Sequence, residues 1–277
     1  PWDVDSAFGR GGVGRSQLIF PTAGGIYTGR DNKLFKAMWD HIPDFTSMYL
    51  KRLRTVLDDV LQPPGTPQEE LKFEKRIDEM VALMEPDALL DFEKYGTWKV
   101  EAETEKITYG HEGEGLYSWM DHINILKNDY FPARRTHLYN SLKNVAPQTG
   151  TPKIEFGEFD ANPVSRNQDE EYIQLVNPND EAVDISGWSL TGDVEHVIHP
   201  GTVIPAKGSF YFSPDSLTFR NRDTGPSGGQ QLFVQDGYLG HLSNWGAKVQ
   251  LVAPDQTTVA TLPVSYTHLR AHETRPN

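Results

Sequence analysis

The sequence predicts a multidomain α + β chain, with a mainly helical first half and an antiparallel β-sandwich after it. Three observations predict this. In the first half, apolar residues recur at helical spacing. Ala146 to Pro152 is small, polar and carries two prolines, which is linker chemistry. Beyond it the period changes from helical to alternating, and many short apolar runs are separated by turn signals. At 277 residues the chain has room for two domains. The expected division is 1–145, a linker at 146–152, 153–262, and a tail at 263–277.

Composition narrows the function classes. Hydrophobic residues make up 37% of the chain, with 24 Gly and 19 Pro, which suits a loop-rich globular protein. No apolar run approaches membrane-spanning length. The net charge of −13 argues against nucleic acid or an anionic membrane as the main partner. With no cysteine, disulfides, zinc–thiolate sites and thiol catalysis are excluded. The chain opens on Pro1, without an initiator Met or signal peptide, and reads as a fragment whose targeting segment is missing.

Taken in order, Lys33 to Ile42 puts Leu34, Met38 and Ile42 on one helical face. Asp44 to Leu61 carries an apolar stripe that includes Phe45, Tyr49, Leu53 and Leu57. Lys51, Arg52, Arg54, Asp58 and Asp59 form its wet side. Thr66-Pro67-Gln68-Glu69 reads as a capping box worth about 1 kcal/mol. The helix it opens runs through Leu71, Phe73, Ile77, Met80, Val81 and Met84. Pro86 is expected to break that helix, with Asp87 to Tyr95 resuming at a new angle. Leu116 to Leu126 and Arg134 to Lys143 supply the last helices. The aromatic and Met residues read as core, Arg134-Arg135 as a solvated face, and His111-Glu112-Gly113-Glu114 as surface.

In the second half, strands are expected around Ile154 and Phe156, Tyr172 to Val176, Val183 and Ile185, Phe210 and Phe212, Leu232 to Val234, and Val249 and Leu251. Trp188, after Gly187, belongs in the core. Asn177-Pro178 and Ser243-Asn244 supply tight turns. His196 and His199, three apart on a strand, should lie on opposite faces and make poor joint ligands. No catalytic constellation appears here.

The chemistry sits at the start, in Pro1-Trp2-Asp3-Val4-Asp5-Ser6-Ala7-Phe8-Gly9. In an extended segment Asp3 and Asp5 share one face, and Mg²⁺ takes hard oxygen ligands of this kind. Read from spacing alone, they are first a pair of solvated turn acids, since Asp is common in turns. Gly9-x-Gly11-x-x-Gly14 fits a dinucleotide fingerprint, but Pro21 and Gly24-Gly25 prevent the helix that motif must open. No Val-Ala-Ile-Lys strand follows to make it a kinase glycine loop.

The Pro-Trp-Asp-x-Asp-x-x-Phe-Gly segment resembles the metal-binding stretch of the spore-coat-protein-H (CotH) family of atypical protein kinases, over Pro1 to about Lys143. The resemblance implies that Asp3 is the catalytic, Mg²⁺-gripping aspartate and that Asp5 is a second ligand or an orienting neighbour. It implies ATP and Mg²⁺ as cofactors and phosphoryl transfer to Ser or Thr of a protein substrate. The nucleotide-gripping lysine and the catalytic-loop Asp and Asn would lie before Pro1, so the fragment alone would be inactive. A non-catalytic coat or adhesion protein is the alternative.

A second resemblance rests on Glu171 to Thr191, on Gly201-Thr-Val-Ile-Pro-Ala-Lys-Gly208 before Phe-Tyr-Phe, and on Leu242 to Leu251. These stretches resemble a lamin-tail domain, which implies an immunoglobulin-like module for attachment or recognition, with a protein or cell-surface component as partner. At family level a secreted or cell-envelope location is expected. Val264 to Thr274 looks like the translation of a sequencing-library adapter and is expected to be non-native.

Overall fold

The structure, a computed structural model, describes residues 32–100, 107–110, 119–243 and 246–262. The described chain divides into two compact units: one takes residues 32–36 and 56–145, the other 37–55 and 146–262. The helices precede the sandwich, as the periodicity predicts. Helix α1 spans Lys33–His41 and α2 spans Pro43–Val56, and α2 belongs to the same unit as the β-strands.

In the first unit, the expected straight run to Leu61 ends instead in a π turn, Leu57–Leu61. The capping box does not form. Thr66 Oγ1 donates to the Pro63 carbonyl at 2.8 Å, and Gln68–Glu70 is a 3₁₀ turn. Helix α3, Lys72–Tyr95, starts later. Its first N–H is served from ten residues away: Lys72 N–H donates to Gln62 Oε1 at 2.6 Å. A local motif lost to a longer-range partner that satisfies the same orphan donor.

Pro86 lies inside α3 without ending it. It removes the donor for the Ala82 carbonyl, but good helix formers flank it on both sides and outvote one lost bond. A short antiparallel pair missed in the sequence follows, β1 (Thr97–Val100) with β2 (Ile107–Gly110). Helix α4 (Trp119–Ile125) passes through a second π turn, Leu126–Tyr130, into α5 (Phe131–Ser141).

The second unit is a sandwich of two sheets. One has β3 (Glu155–Asp160), β4 (Tyr172–Val176), β9 (Ser209–Phe212) and β10 (Val234–Gln235), in the order β10-β9-β4-β3. The other contains β6 (Ser189–Gly192), β7 (Val194–Val197), β11 (Leu239–Gly240), β12 (Val249–Val252) and β13 (Thr258–Thr261), ordered β11-β7-β6-β12-β13. A small pair, β5 (Val183–Asp184) with β8 (Val203–Ile204), accompanies them. Pairing is antiparallel except for β9 with β10, a two-residue parallel contact.

Burial alternates as half-buried strands require: in β12, Val249 and Leu251 are buried and Gln250 is exposed. The core joins Ile173, Leu175, Ile185, Leu190, Phe212 and Leu251, and Trp188 lies in it as expected. Where β3 bulges against β4, Gly157 lets the Gln174 side chain cross over it. A Cβ at Gly157 would stand 2.3 Å from Gln174 Oε1, and that oxygen accepts from Glu158 N–H at 2.9 Å.

Candidate functional site

Asp3, Asp5 and the Gly9 to Gly14 loop lie outside the described residues, as do His111 to Glu114 and the tail from Val264. What is described in the helical unit is a polar centre next to an apolar hollow. Arg135, on α5, is buried and joins three elements. Its Nη2 meets Glu74 of α3 at 2.7 Å, and its Nε donates to the Leu61 carbonyl at 2.9 Å. That carbonyl is available because the helical run ends at Leu61, leaving its last carbonyls without intrahelical donors. Tyr139, one turn on, donates to Asp58 at 2.8 Å. The sequence reading placed Arg135 and Asp58 on solvated faces. The structure corrects both, because each has a partner in a distant stretch of chain.

Beside this centre, Phe73, Ile77, Met80, Trp119, Ile123 and Phe131 line an apolar cavity of about 280 Å³. Phe73 and Phe131 pack at 5.1 Å between ring centroids. These residues were expected to be plain core; here they wall an open space. Among the described residues, no group of three or more His, Asp or Glu side chains is placed to hold a metal ion.

The sandwich holds several buried polar centres. Asn177, expected only as a turn residue, is fully buried, and its Nδ2 faces the carbonyls of Glu181 (2.8 Å), Ile204 (3.1 Å) and Pro205 (2.9 Å). Its Oδ1 accepts from Asn179 N–H at 2.9 Å. One amide thus ties the turn to the strand end across the sandwich.

Glu171 is fully buried at the entry to β4. Its Oε2 accepts from Leu242 N–H at 2.9 Å and from the Tyr238 hydroxyl at 3.4 Å, and His241 Nδ1 lies 3.9 Å away. Oε1 has no partner among the described residues. Burial pushes the Glu171 carboxyl above its ordinary value, only partly offset by those donors and by His241. The Tyr238 phenol is pushed upward by burial and by the Glu171 charge, and burial pushes Tyr172 up to about 12. Arg222 covers the Tyr172 ring at 4.9 Å and pairs with Asp160 at 2.7 Å.

The two histidines depart from expectation. His196 is buried on β7 and His199 lies just past the strand, where the chain turns, so the rings come to 5.4 Å. The rule of alternate faces fails because the strand ends between them. His196 Nε2 is engaged at 2.7 Å by Gln235 Oε1, which also accepts from His199 N–H.

Sequence reasoning missed Arg135, Lys51, Glu171 and Asn177 as buried polar residues. Each sits on a surface-like pattern and is buried by chain far away in sequence. Glu171 and Asn177 carried a partial signal, since both lie in the stretch that resembles a lamin tail; Arg135 and Lys51 carried none.

No curated protein matches the chain. Two family models do. Residues 1–138 match the CotH kinase protein model, and residues 147–266 match the Lamin Tail Domain model. The first covers the Asp3–Asp5 segment and all helices to the body of α5; the second begins at Pro147 and takes in the whole described sandwich. The protein is therefore a CotH-like region fused to a lamin tail domain.

Proposed function

We propose that the protein belongs to an ATP-dependent kinase that phosphorylates Ser or Thr of a protein, with Asp3 and Asp5 holding Mg²⁺ and the lamin tail domain serving attachment or recognition. The observation that supports this is the CotH match over residues 1–138, which includes Trp2-Asp3-Val4-Asp5. The donor set suits the ion, since paired carboxylate oxygens are the hard ligands Mg²⁺ takes. When bound, Mg²⁺ would offset the negative charge of the nucleotide phosphates. Asp3 is the direct ligand and Asp5, two residues on, ligates or orients beside it. Both families fit a coat or envelope protein, and the proposed substrate and attachment partner belong to that setting.

Kinase phosphoryl transfer is mostly positioning and charge stabilisation, so removing a metal ligand is severe while removing a surface acid is not. In a protein carrying a complete CotH domain around this sequence, Asp3→Ala should abolish Mg²⁺-dependent ATP turnover and Asp5→Ala should weaken it. Asp59→Ala and Asp87→Ala, at exposed helical positions, should leave it unchanged. Turnover that survives Asp3→Ala, or failure of the protein to bind Mg-ATP, would replace this reading with a non-catalytic coat or adhesion protein.

A further inference from the structure

Helix α2 lies in the stretch matched by the CotH model, yet it belongs to the same compact unit as the lamin tail domain. Lys51, Arg52 and Thr55 fall on one face of it, at the i, i+3 and i, i+4 spacings that make helical neighbours. Asp184, on β5, receives that face. Its side chain is 4% exposed, and its Oδ2 takes Arg52 Nη1 at 3.0 Å and also the Thr55 hydroxyl. Its other oxygen, Oδ1, accepts the Ser186 N–H at 2.9 Å and the Ser186 hydroxyl. Both carboxylate oxygens are thus filled, one from the sandwich and one from the helix.

The neighbouring contacts repeat the arrangement. Lys51, itself 5% exposed, donates Nζ to the Ala146 carbonyl at 3.1 Å and lies 3.5 Å from Glu181. Gln148 then brackets the Asp184 backbone like a strand partner: its Nε2 donates to the Asp184 carbonyl at 2.8 Å, and its Oε1 accepts the Asp184 N–H at 2.9 Å. A buried carboxylate and a buried ammonium are costly unless each is met by a partner. Here each is met only if the helix, residues 146–148 and the end of the sandwich are all in place.

We propose that the Glu181–Ser186 face of the lamin tail domain is a docking surface whose occupant is this chain's own helix α2, with Asp184 as the group that recognises the Lys51-Arg52-Thr55 face. The folding unit then does not follow the family boundary. The CotH region contributes a helix that completes the lamin tail domain, and residues 146–148, at the boundary of the two families, are a bound strap. The face around Asp184 is occupied, so an external partner of the lamin tail domain must use another face.

Hydrogen exchange followed by mass spectrometry on the full 277-residue chain tests this, with changes made on the helix side so that the Asp184–Ser186 turn keeps its own bonds. Arg52→Ala with Thr55→Val should speed exchange in both 43–56 and 182–186 by about tenfold or more, while the β4 and β9 amides hold. Asp184→Asn should reproduce the same pattern, and combining it with the helix changes should add nothing further, as expected for members of one contact. Ser47→Ala, an exposed change on the same helix, should leave 182–186 as it is. The proposal is overturned if the helix variant leaves 182–186 unchanged, if Ser47→Ala loosens 182–186 equally, or if the effects simply add. Were the β4 and β9 amides to loosen together with 43–56 and 182–186 in the helix variant alone, the helix would be part of the sandwich's cooperative unit, which also supports the docking.

Discussion

At Glu171 a carboxyl group is held out of reach of water, and the fold becomes sensitive to pH on its account. Its folded pKa lies above the ordinary value of 4.5, so the folded protein keeps a proton that the unfolded chain has already released. The stability it contributes is complete below about pH 4.5 and is lost as pH rises through the folded pKa. The groups facing it are Tyr238, the Leu242 N–H, His241 and, more distantly, Asp160. Glu171→Gln keeps an acceptor for the Leu242 N–H and removes the titration. Urea midpoints of the β module measured from about pH 4 to pH 8 should fall less steeply in this variant; an unchanged slope would assign the dependence to another group. Trp188 was legible as core from one apolar run and one glycine. Arg135 and Lys51 were not, because the partners that bury their charges stand 61 and 95 residues away, and a charged residue on a helix reads as solvated until those partners are known.

For whole elements, hydrophobic period placed α1, α2 and α5 and most strands within a few residues. Punctuation was less reliable. Thr66-Pro67-Gln68-Glu69 has the chemistry of a cap but spends Thr66 on the Pro63 carbonyl, and Pro86 has the chemistry of a break but sits inside a 24-residue helix. Both are local rules overridden by what surrounds them. The two π turns carry no sequence signature, since they come from fitting a helix end to its neighbours. Pro86 is exposed, so Pro86→Ala should restore a donor for the Ala82 carbonyl at no packing cost. We expect a gain of about 1–3 kcal/mol in the helical unit, read from the urea midpoint by far-UV circular dichroism. No gain would mean that this carbonyl is already served.

On the scale of the whole molecule, the order of the two halves was legible because a change of period needs no partner to be seen. The membership of α2 was not, because it depends on which side chains meet Asp184 after folding. Residues 146–152 have the composition of a linker, yet Gln148 makes two hydrogen bonds to the Asp184 backbone. Each is worth about 1 kcal/mol net. A chain beginning at Lys153 should therefore unfold cooperatively with a β-type far-UV spectrum, but with a Tm about 5–10 °C below that of one beginning at Ala146. Equal melting temperatures would show that the strap contributes nothing. A helical spectrum, or no cooperative transition in either, would remove the sandwich as a separable domain. Asp3 and Asp5 were singled out by the resemblance of their segment to the CotH family rather than by spacing alone, and they remain the residues on which the proposed chemistry turns.

Asn177 also bears on how the protein keeps its shape over time. Asparagine side chains age by deamidation: the backbone nitrogen of the next residue attacks the amide, closes a cyclic imide, and the ring reopens as an acid. At this site an acid would be ruinous, because a carboxylate has no N–H to offer the carbonyls of Glu181, Ile204 and Pro205. The next residue is Pro178, whose ring nitrogen carries no hydrogen and cannot close that imide. The proline that shapes the turn thus also shields the amide that holds it against the slow chemistry of standing in water.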